Sequence, residues 1–213
     1  MSFADPHQLI PAIPVMLLAL TIHEWAHAYS AWRLGDPTAR AMGRMTLNPA
    51  AHLDLFGTLC LVLIGFGWAR PVPVDPRYLA RPRRDMMWIA SAGPVSNLLQ
   101  AAVCGIVLRL VQPAAAASGT AEFFLRMLMY GVIINCGLAV FNLLPVPPLD
   151  GSKILYGLWT GLTEADLFRL ERFGPLVLFG LVLLGWLTGY SLLWLILGPP
   201  VQFLVGVFSG GAF

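Results

Sequence analysis

Charge is scarce in this chain. Of its 213 residues, 58% are hydrophobic and only 11% are Asp, Glu, Lys or Arg, against about 25% in an ordinary soluble domain. That is too little charge to cover a globule of this length, which excludes a water-soluble enzyme and indicates an integral membrane protein. The charges nearly balance, at a formal +2, so no nucleic-acid partner is expected. Cysteine is scarce too. Cys60, Cys104 and Cys136 all fall in apolar runs without C-x-x-C spacing, and they read as small buried hydrophobes rather than a disulfide framework. The N-terminus lacks the basic n-region of a cleavable signal peptide, and its apolar run carries a motif that must be kept, so no cleavage is expected. Internal repeats and disordered linkers are absent. The expectation is one membrane-embedded domain over residues 1–213, with a core at 9–151 and a closing helical hairpin at 173–208.

What is present is a series of apolar segments. The first runs over about 9–34, admits Pro11 and Pro14 near its start, and stops at Gly35-Asp36-Pro37. A polar stretch follows, then a short apolar run at 55–68, whose roughly 14 residues suit a re-entrant segment better than a span. Arg70-Pro71-Val72-Pro73-Val74 reads as extended chain, because proline disfavours helix in the residue before it. Further spans are expected over about 86–111 and 123–144. The last two apolar runs, 175–187 and 192–207, pivot on Thr188-Gly189-Tyr190-Ser191. The fold class is therefore all-α and polytopic, with about five transmembrane helices plus one short re-entrant or additional segment. Placing the basic stretches 33–44, 70–84 and 153–172 in the cytoplasm leaves the stretch 112–121, which has no Lys or Arg, outside. This orientation holds if 55–68 enters and leaves on the same side.

Inside the first apolar segment lies His23-Glu24-Trp25-Ala26-His27. Residues i and i+4 share a helix face, so both imidazoles can reach one metal ion, with Glu24 beside them as a base. This is the H-E-x-x-H arrangement of zinc peptidases. Ionisable groups at membrane depth are costly and point to function, and one cation would compensate all three. Small residues around the motif (Ala19, Thr21, Ala26, Ala28, Ala31) allow neighbouring helices to approach. A catalytic zinc takes a third protein ligand. Asp150, on the proline-rich break at 145–151, is the best candidate, although it could instead cap the helix that follows. His52 and Asp54 are rivals for the same role, while Glu122, Glu164 and Glu171 sit poorly for it. With the basic loops inside, His23, His27 and Asp150 fall at a similar depth near the cytoplasmic face.

With these motifs in view, the chain resembles the site-2 protease family of intramembrane zinc metallopeptidases (peptidase family M50), in its compact prokaryotic branch without a PDZ domain. The resemblance rests on His23-Glu24-Trp25-Ala26-His27, Gly43-Arg44-Met45-Thr46-Leu47-Asn48-Pro49, His52-Leu53-Asp54-Leu55-Phe56-Gly57-Thr58, Ser91-Ala92-Gly93-Pro94-Val95-Ser96-Asn97, and the Asn142 to Gly151 stretch with its Pro-x-Pro and Asp-Gly pairs. It implies one zinc ion held by His23, His27 and Asp150. Glu24 is then the general base, Asn142 an oxyanion or substrate-backbone donor, and Asn97 a weaker candidate for a similar role. The expected activity is hydrolysis of a peptide bond in or near the transmembrane helix of a single-pass membrane protein, by zinc-activated water. The expected setting is the lipid bilayer of a bacterial inner membrane, with the active site nearer the cytoplasm. The rival readings are a divalent-metal transporter, which needs ligands along a path across the whole membrane, and a catalytically silent scaffold.

Overall fold

The computed structural model describes residues 6–64, 67–111 and 119–211. Among them the regular structure is helical, joined by turns and one extended stretch, and the only β-type pairing is an isolated antiparallel bridge between Leu53 and Ala69. The described residues form eight α-helices in order: α1 (Pro6–Arg33), α2 (Thr38–Ala41), α3 (Leu55–Ile64), α4 (Pro82–Val111), α5 (Gly119–Asn142), α6 (Asp150–Leu158), α7 (Glu164–Thr188) and α8 (Leu192–Ser209). Short 3-10 turns lie at Pro49–Ala51 and Pro76–Tyr78.

Helix α4 is the hub, packing against α1, α5, α6 and α8. It opens with Pro82, whose missing N–H costs nothing in a first turn, and Asp85 in that turn accepts the Arg81 N–H at 2.8 Å. Small side chains bring the helices close. Ala19, Ala28 and Ala31 on α1 are fully buried, and Ala101, Val132, Cys136, Val201 and Val205 form the core between α4, α5 and α8. The outward faces are apolar as well, with Leu18, Leu99, Val103, Ile106, Leu110 and Phe203 all exposed. A soluble monomer rarely leaves so much apolar surface in water. The chain is an all-α integral membrane protein.

Four helices among the described residues are long and apolar enough to cross a bilayer: α1 from Ile10, α4, α5 and α8. The expected fifth span falls on α7. That helix carries charge as far as Arg172, which leaves a shorter apolar remainder, and it opens with a capping box between Thr163 and Asp166. Gly189, in the left-handed region at φ 73°, ends α7, and Ser191 caps α8 through the Trp194 N–H, so the closing turn sits where the sequence places it. The uncharged stretch 112–121 lies largely outside the described residues. Within the run 55–68, Leu55–Ile64 form the short helix α3, and Ala69 and Arg70 lie beside the start of the segment, through the Leu53–Ala69 bridge and an Arg70 N–H to His52 carbonyl bond of 2.8 Å. The two ends of this segment are therefore neighbours, as a re-entrant path requires.

Candidate metal centre and active site

His23 and His27 leave α1 on one face, with their rings nearly perpendicular and centroids 4.6 Å apart. The face they need is supplied by α4 at Gly93. A Cβ built there would sit 2.4 Å from His27 Nε2 and 2.5–2.6 Å from the His23 ring. Only glycine lets the helix backbone come this near to both imidazoles. The Ser-Ala-Gly-Pro motif of residues 91–94 thus forms the wall against which both rings rest.

Asp150 arrives from the opposite end of the fold. It is the first residue of α6, with Leu149 in the N-cap position and no side-chain cap bond. The capping role considered for Asp150 is therefore not the one it has. Gly151 presses its Cα against the carbonyls of Leu143 and Leu144 (2.3 and 2.4 Å to an added Cβ). This contact folds the proline-rich turn back on the end of α5 and directs Asp150 toward α1. Its Oδ2 lies 3.2 Å from His23 Nε2 and 3.3 Å from His27 Nε2, with the two Nε2 atoms 3.0 Å apart.

Proton bookkeeping shows what these atoms are. His27 Nδ1 lies 2.7 Å from the Ile89 carbonyl, which can only accept, so Nδ1 carries the proton and Nε2 presents a lone pair. His23 Nδ1 likewise has its own partner, Asn97 Oδ1, at 2.6 Å. Two imidazole lone pairs and a carboxylate oxygen thus converge, and Asp150 Oδ2 is a buried atom with no hydrogen-bond donor. Three acceptors in contact repel one another unless a cation lies between them. Zinc bound tetrahedrally at its usual ligand distances places neighbouring ligand atoms about 3.3 Å apart, which matches the observed spacings. The donor set and its geometry therefore fit zinc.

Glu24 is 9% exposed, and its Oε2 accepts the Val72 N–H at 3.1 Å. The extended segment that supplies this donor is pinned on both sides. Arg44 Nη2 donates to the Arg70 carbonyl at 2.6 Å, and Asp75 N donates to the buried Asp36 Oδ2 at 2.8 Å. Burial lowers the Arg44 guanidinium below its ordinary value, the nearby charge of Arg70 adds to this, and the Glu24 carboxylate opposes both. The rival ligands are occupied elsewhere. His52 is buried with Nε2 2.8 Å from the Thr46 carbonyl, and Asp54 accepts the Gly57 N–H at 2.7 Å to start α3.

A cavity of about 600 Å³ opens over the cluster. Its walls are mainly apolar, from α1, α5, α7 and the 67–74 segment, and its polar side chains are His23, Glu24, His27, Asn142, Asp150 and Lys153. Asn142 uses one N–H on the Leu138 carbonyl at 3.0 Å and keeps a second for the cavity. Asn97 does not line the cavity. It is fully buried behind His23, in no position to touch a substrate. Sequence reasoning passed over the Val72 amide, which is backbone and leaves no residue signature, and Lys153, read only as part of the basic stretch 153–172. It also missed Asn135, one more amide in an apolar span.

The chain has relatives among known proteins. The chain is 39% identical over 211 residues to the candidate zinc metalloprotease YwhC of Bacillus subtilis (strain 168), an alignment covering 96% of this chain and 94% of that one. It is 30% identical over 181 residues to the candidate zinc metalloprotease Rip2 of Mycobacterium tuberculosis (strain H37Rv), covering 82% and 67%. It is also 30% identical over 168 residues to Rip2 of Mycolicibacterium smegmatis, covering 76% of this chain and 62% of the relative. No solved structure matches the chain significantly. The model of Peptidase family M50 matches residues 109–185, the stretch that carries Asp150. With a relative this similar along nearly its whole length, the chain belongs to peptidase family M50, the site-2 protease family.

Proposed function

We propose that this chain is an intramembrane zinc metalloendopeptidase that hydrolyses a peptide bond within or near a transmembrane segment of a single-pass membrane protein, with one zinc ion held by His23, His27 and Asp150. One observation carries the reading: three lone-pair atoms, spaced 3.0–3.3 Å apart with no donor among them, converge beside a glutamate in an apolar cavity. When bound, zinc supplies a Lewis acid that polarises the scissile carbonyl and makes hydroxide available near neutral pH.

The chain's own groups do the rest. Glu24 takes the proton of the attacking water and passes it to the departing amine. The Val72 N–H fixes one carboxylate oxygen and leaves the other for the proton. General-base catalysis of this kind contributes about 10²–10⁴-fold. The free N–H of Asn142 reaches into the cavity, where it can meet the carbonyl oxygen as charge develops. A helical substrate hides its amides in internal hydrogen bonds, so it must unwind locally to enter, and segments weakened by glycine or proline are the better substrates. The extended 69–75 segment lies along the cavity wall at the height of Glu24, ready to flank an unwound chain. By the positive-inside rule the active site belongs near the cytoplasmic face of a bacterial inner membrane.

The transporter reading differs in one measurable way. Purified Glu24→Gln is expected to keep its zinc and lose cleavage of a reconstituted transmembrane substrate by at least 100-fold, while Asp150→Ala loses the zinc itself. If Glu24→Gln carries zinc across proteoliposomes and the wild type cleaves nothing, the protein is a transporter. Full zinc retention in Asp150→Ala refutes the ligand set.

A further inference from the structure

We infer that Asn135 and Asn97 form a directional relay that sets which nitrogen of His23 carries its proton, and so act as positioning residues for the metal centre. The inference rests on the metallopeptidase reading above and adds to it an assignment for two buried amides that the chemistry does not touch.

The relay runs across three helices. Asn135 on α5 lies with Nδ2 2.9 Å from the Gly131 carbonyl, and its Oδ1 is 2.8 Å from Asn97 Nδ2 on α4. Asn97 Nδ2 also lies 3.4 Å from the Ala19 carbonyl of α1, and Asn97 Oδ1 is 2.6 Å from His23 Nδ1. Asn97 is fully buried, Asn135 is 2% exposed and His23 is 4% exposed, which leaves little room for water to substitute for a missing partner.

An amide can face either way, but a peptide carbonyl can only accept. The Gly131 carbonyl therefore requires the NH₂ of Asn135, because the reversed amide would set two oxygens 2.9 Å apart. That orientation turns Asn135 Oδ1 toward Asn97, which must answer with its own NH₂. The Ala19 carbonyl asks the same of it. Asn97 then has only an oxygen to offer His23, so His23 Nδ1 must be the donor. The Nε2 lone pair is left facing His27 and Asp150. His27 reaches the same tautomer in one step, through the Ile89 carbonyl. Both imidazoles are thus preset as ligands, one by a carbonyl directly and the other by a carbonyl acting through two amides. Partners of this kind behind a metal-bound histidine are worth about 10–100-fold in metal affinity.

Polar glue between helices is the competing role for such amides, and it makes a different prediction. Glue needs a hydrogen bond; the relay needs an acceptor at His23 Nδ1. The test is zinc affinity of the purified full-length protein at one fixed pH, by competition with a chromophoric chelator, with thermal unfolding of the metal-free forms measured in parallel. Asn135→Leu is expected to weaken zinc binding about tenfold. Adding Asn97→Asp should restore it to within a few-fold of wild type, because a carboxylate can only accept and needs no anchor behind it. Asn97→Asp alone keeps an acceptor at His23 but sets its second oxygen against Asn135 Oδ1 and the Ala19 carbonyl, so it should hold zinc less tightly than wild type yet clearly better than Asn97→Leu, which should weaken binding by tenfold or more. The proposal is overturned if Asn135→Leu folds and binds zinc like wild type. It is also overturned if the double variant is not restored, or if Asn97→Asp loses as much affinity as Asn97→Leu. The single Asn97 pair decides the matter should Asn135→Leu not fold. Failure of the wild type to bind zinc would instead strike the metallopeptidase reading.

Discussion

Replacing Gly93 by alanine adds one methyl group and should dismantle the metal centre. The added Cβ would lie 2.4 Å from His27 Nε2 and 2.5 and 2.6 Å from His23 Cε1 and Nε2. Non-bonded heavy atoms settle at about 3.5 Å or more, so the rings or the α4 backbone must withdraw by roughly 1 Å. A metal site tolerates about 0.2 Å in its ligand distances. The two histidines cannot keep their relation to Asp150 over such a shift, because the backbone of α1 is packed on α4 and α5 through fully buried alanines. The expected loss of zinc affinity is about 100-fold, equivalent to about 2.8 kcal/mol, with loss of cleavage in proportion. The cost to folding is smaller. Overpacking takes about 1–3 kcal/mol, and the better helix propensity of alanine returns up to about 1 kcal/mol. Chelator competition and thermal unfolding of the metal-free protein separate the two effects. Gly137→Ala, on α5 with nothing within 4 Å of the new methyl, is the control and should match wild type in both. A Gly93→Ala protein that binds zinc within threefold of wild type would refute the placement of the imidazoles against α4.

Two further outcomes follow from the supports of the site. Val72→Pro removes the amide hydrogen that Glu24 accepts in a segment already flanked by Pro71 and Pro73, so the backbone is little disturbed; kcat should fall about tenfold or more while zinc content stays full, and unchanged kcat in a peptide-cleavage assay would dissociate the Val72 amide from catalysis. Gly151→Ala sets a Cβ 2.3–2.4 Å from two backbone carbonyls, which cannot swing aside as a side chain can. It should pull Asp150 from the cluster and lower both unfolding temperature and zinc content, and a variant with normal zinc content would show that the turn holds Asp150 by other means.

The sequence makes the centre legible because its parts are costly. His23, Glu24 and His27 in an apolar helix have few alternative explanations, and Asp150 beside a run of prolines has only a few more. The apolar spans are legible for the same reason, since twenty or so apolar residues together have one solvent that suits them. The rest depends on distance between elements. Gly93 lies in an unremarkable small-residue motif, and only the approach of α4 to α1 reveals why a side chain is barred there. Asn97 reads as a substrate donor in one dimension, and in three it stands behind a histidine with no access to the cavity. Asn135 carries no signal at all, because an amide in an apolar helix gains its meaning from the partner it meets. The Val72 contact is made by backbone and could not be read from any side chain. The extended character of 70–74 was legible from its prolines, while its attachment to Asp36 and Arg44 was not. The apolar run expected at 175–187 is helical, as the C-terminal part of α7, a helix that begins in charged residues at Glu164 and is not among the four uniformly apolar ones.

The imidazoles belong to the first helix and the carboxylate to the sixth, with two bilayer-length helices between them in chain order. During synthesis the histidines therefore enter the membrane long before their partner exists. A ribosome-bound chain that has inserted α1, or even α1 through α5, still lacks Asp150, the third member of the proposed ligand set. On the proposed ligand set, the centre is complete only once the proline-rich turn has brought Asp150 to the histidines, so the order of translation places its assembly late.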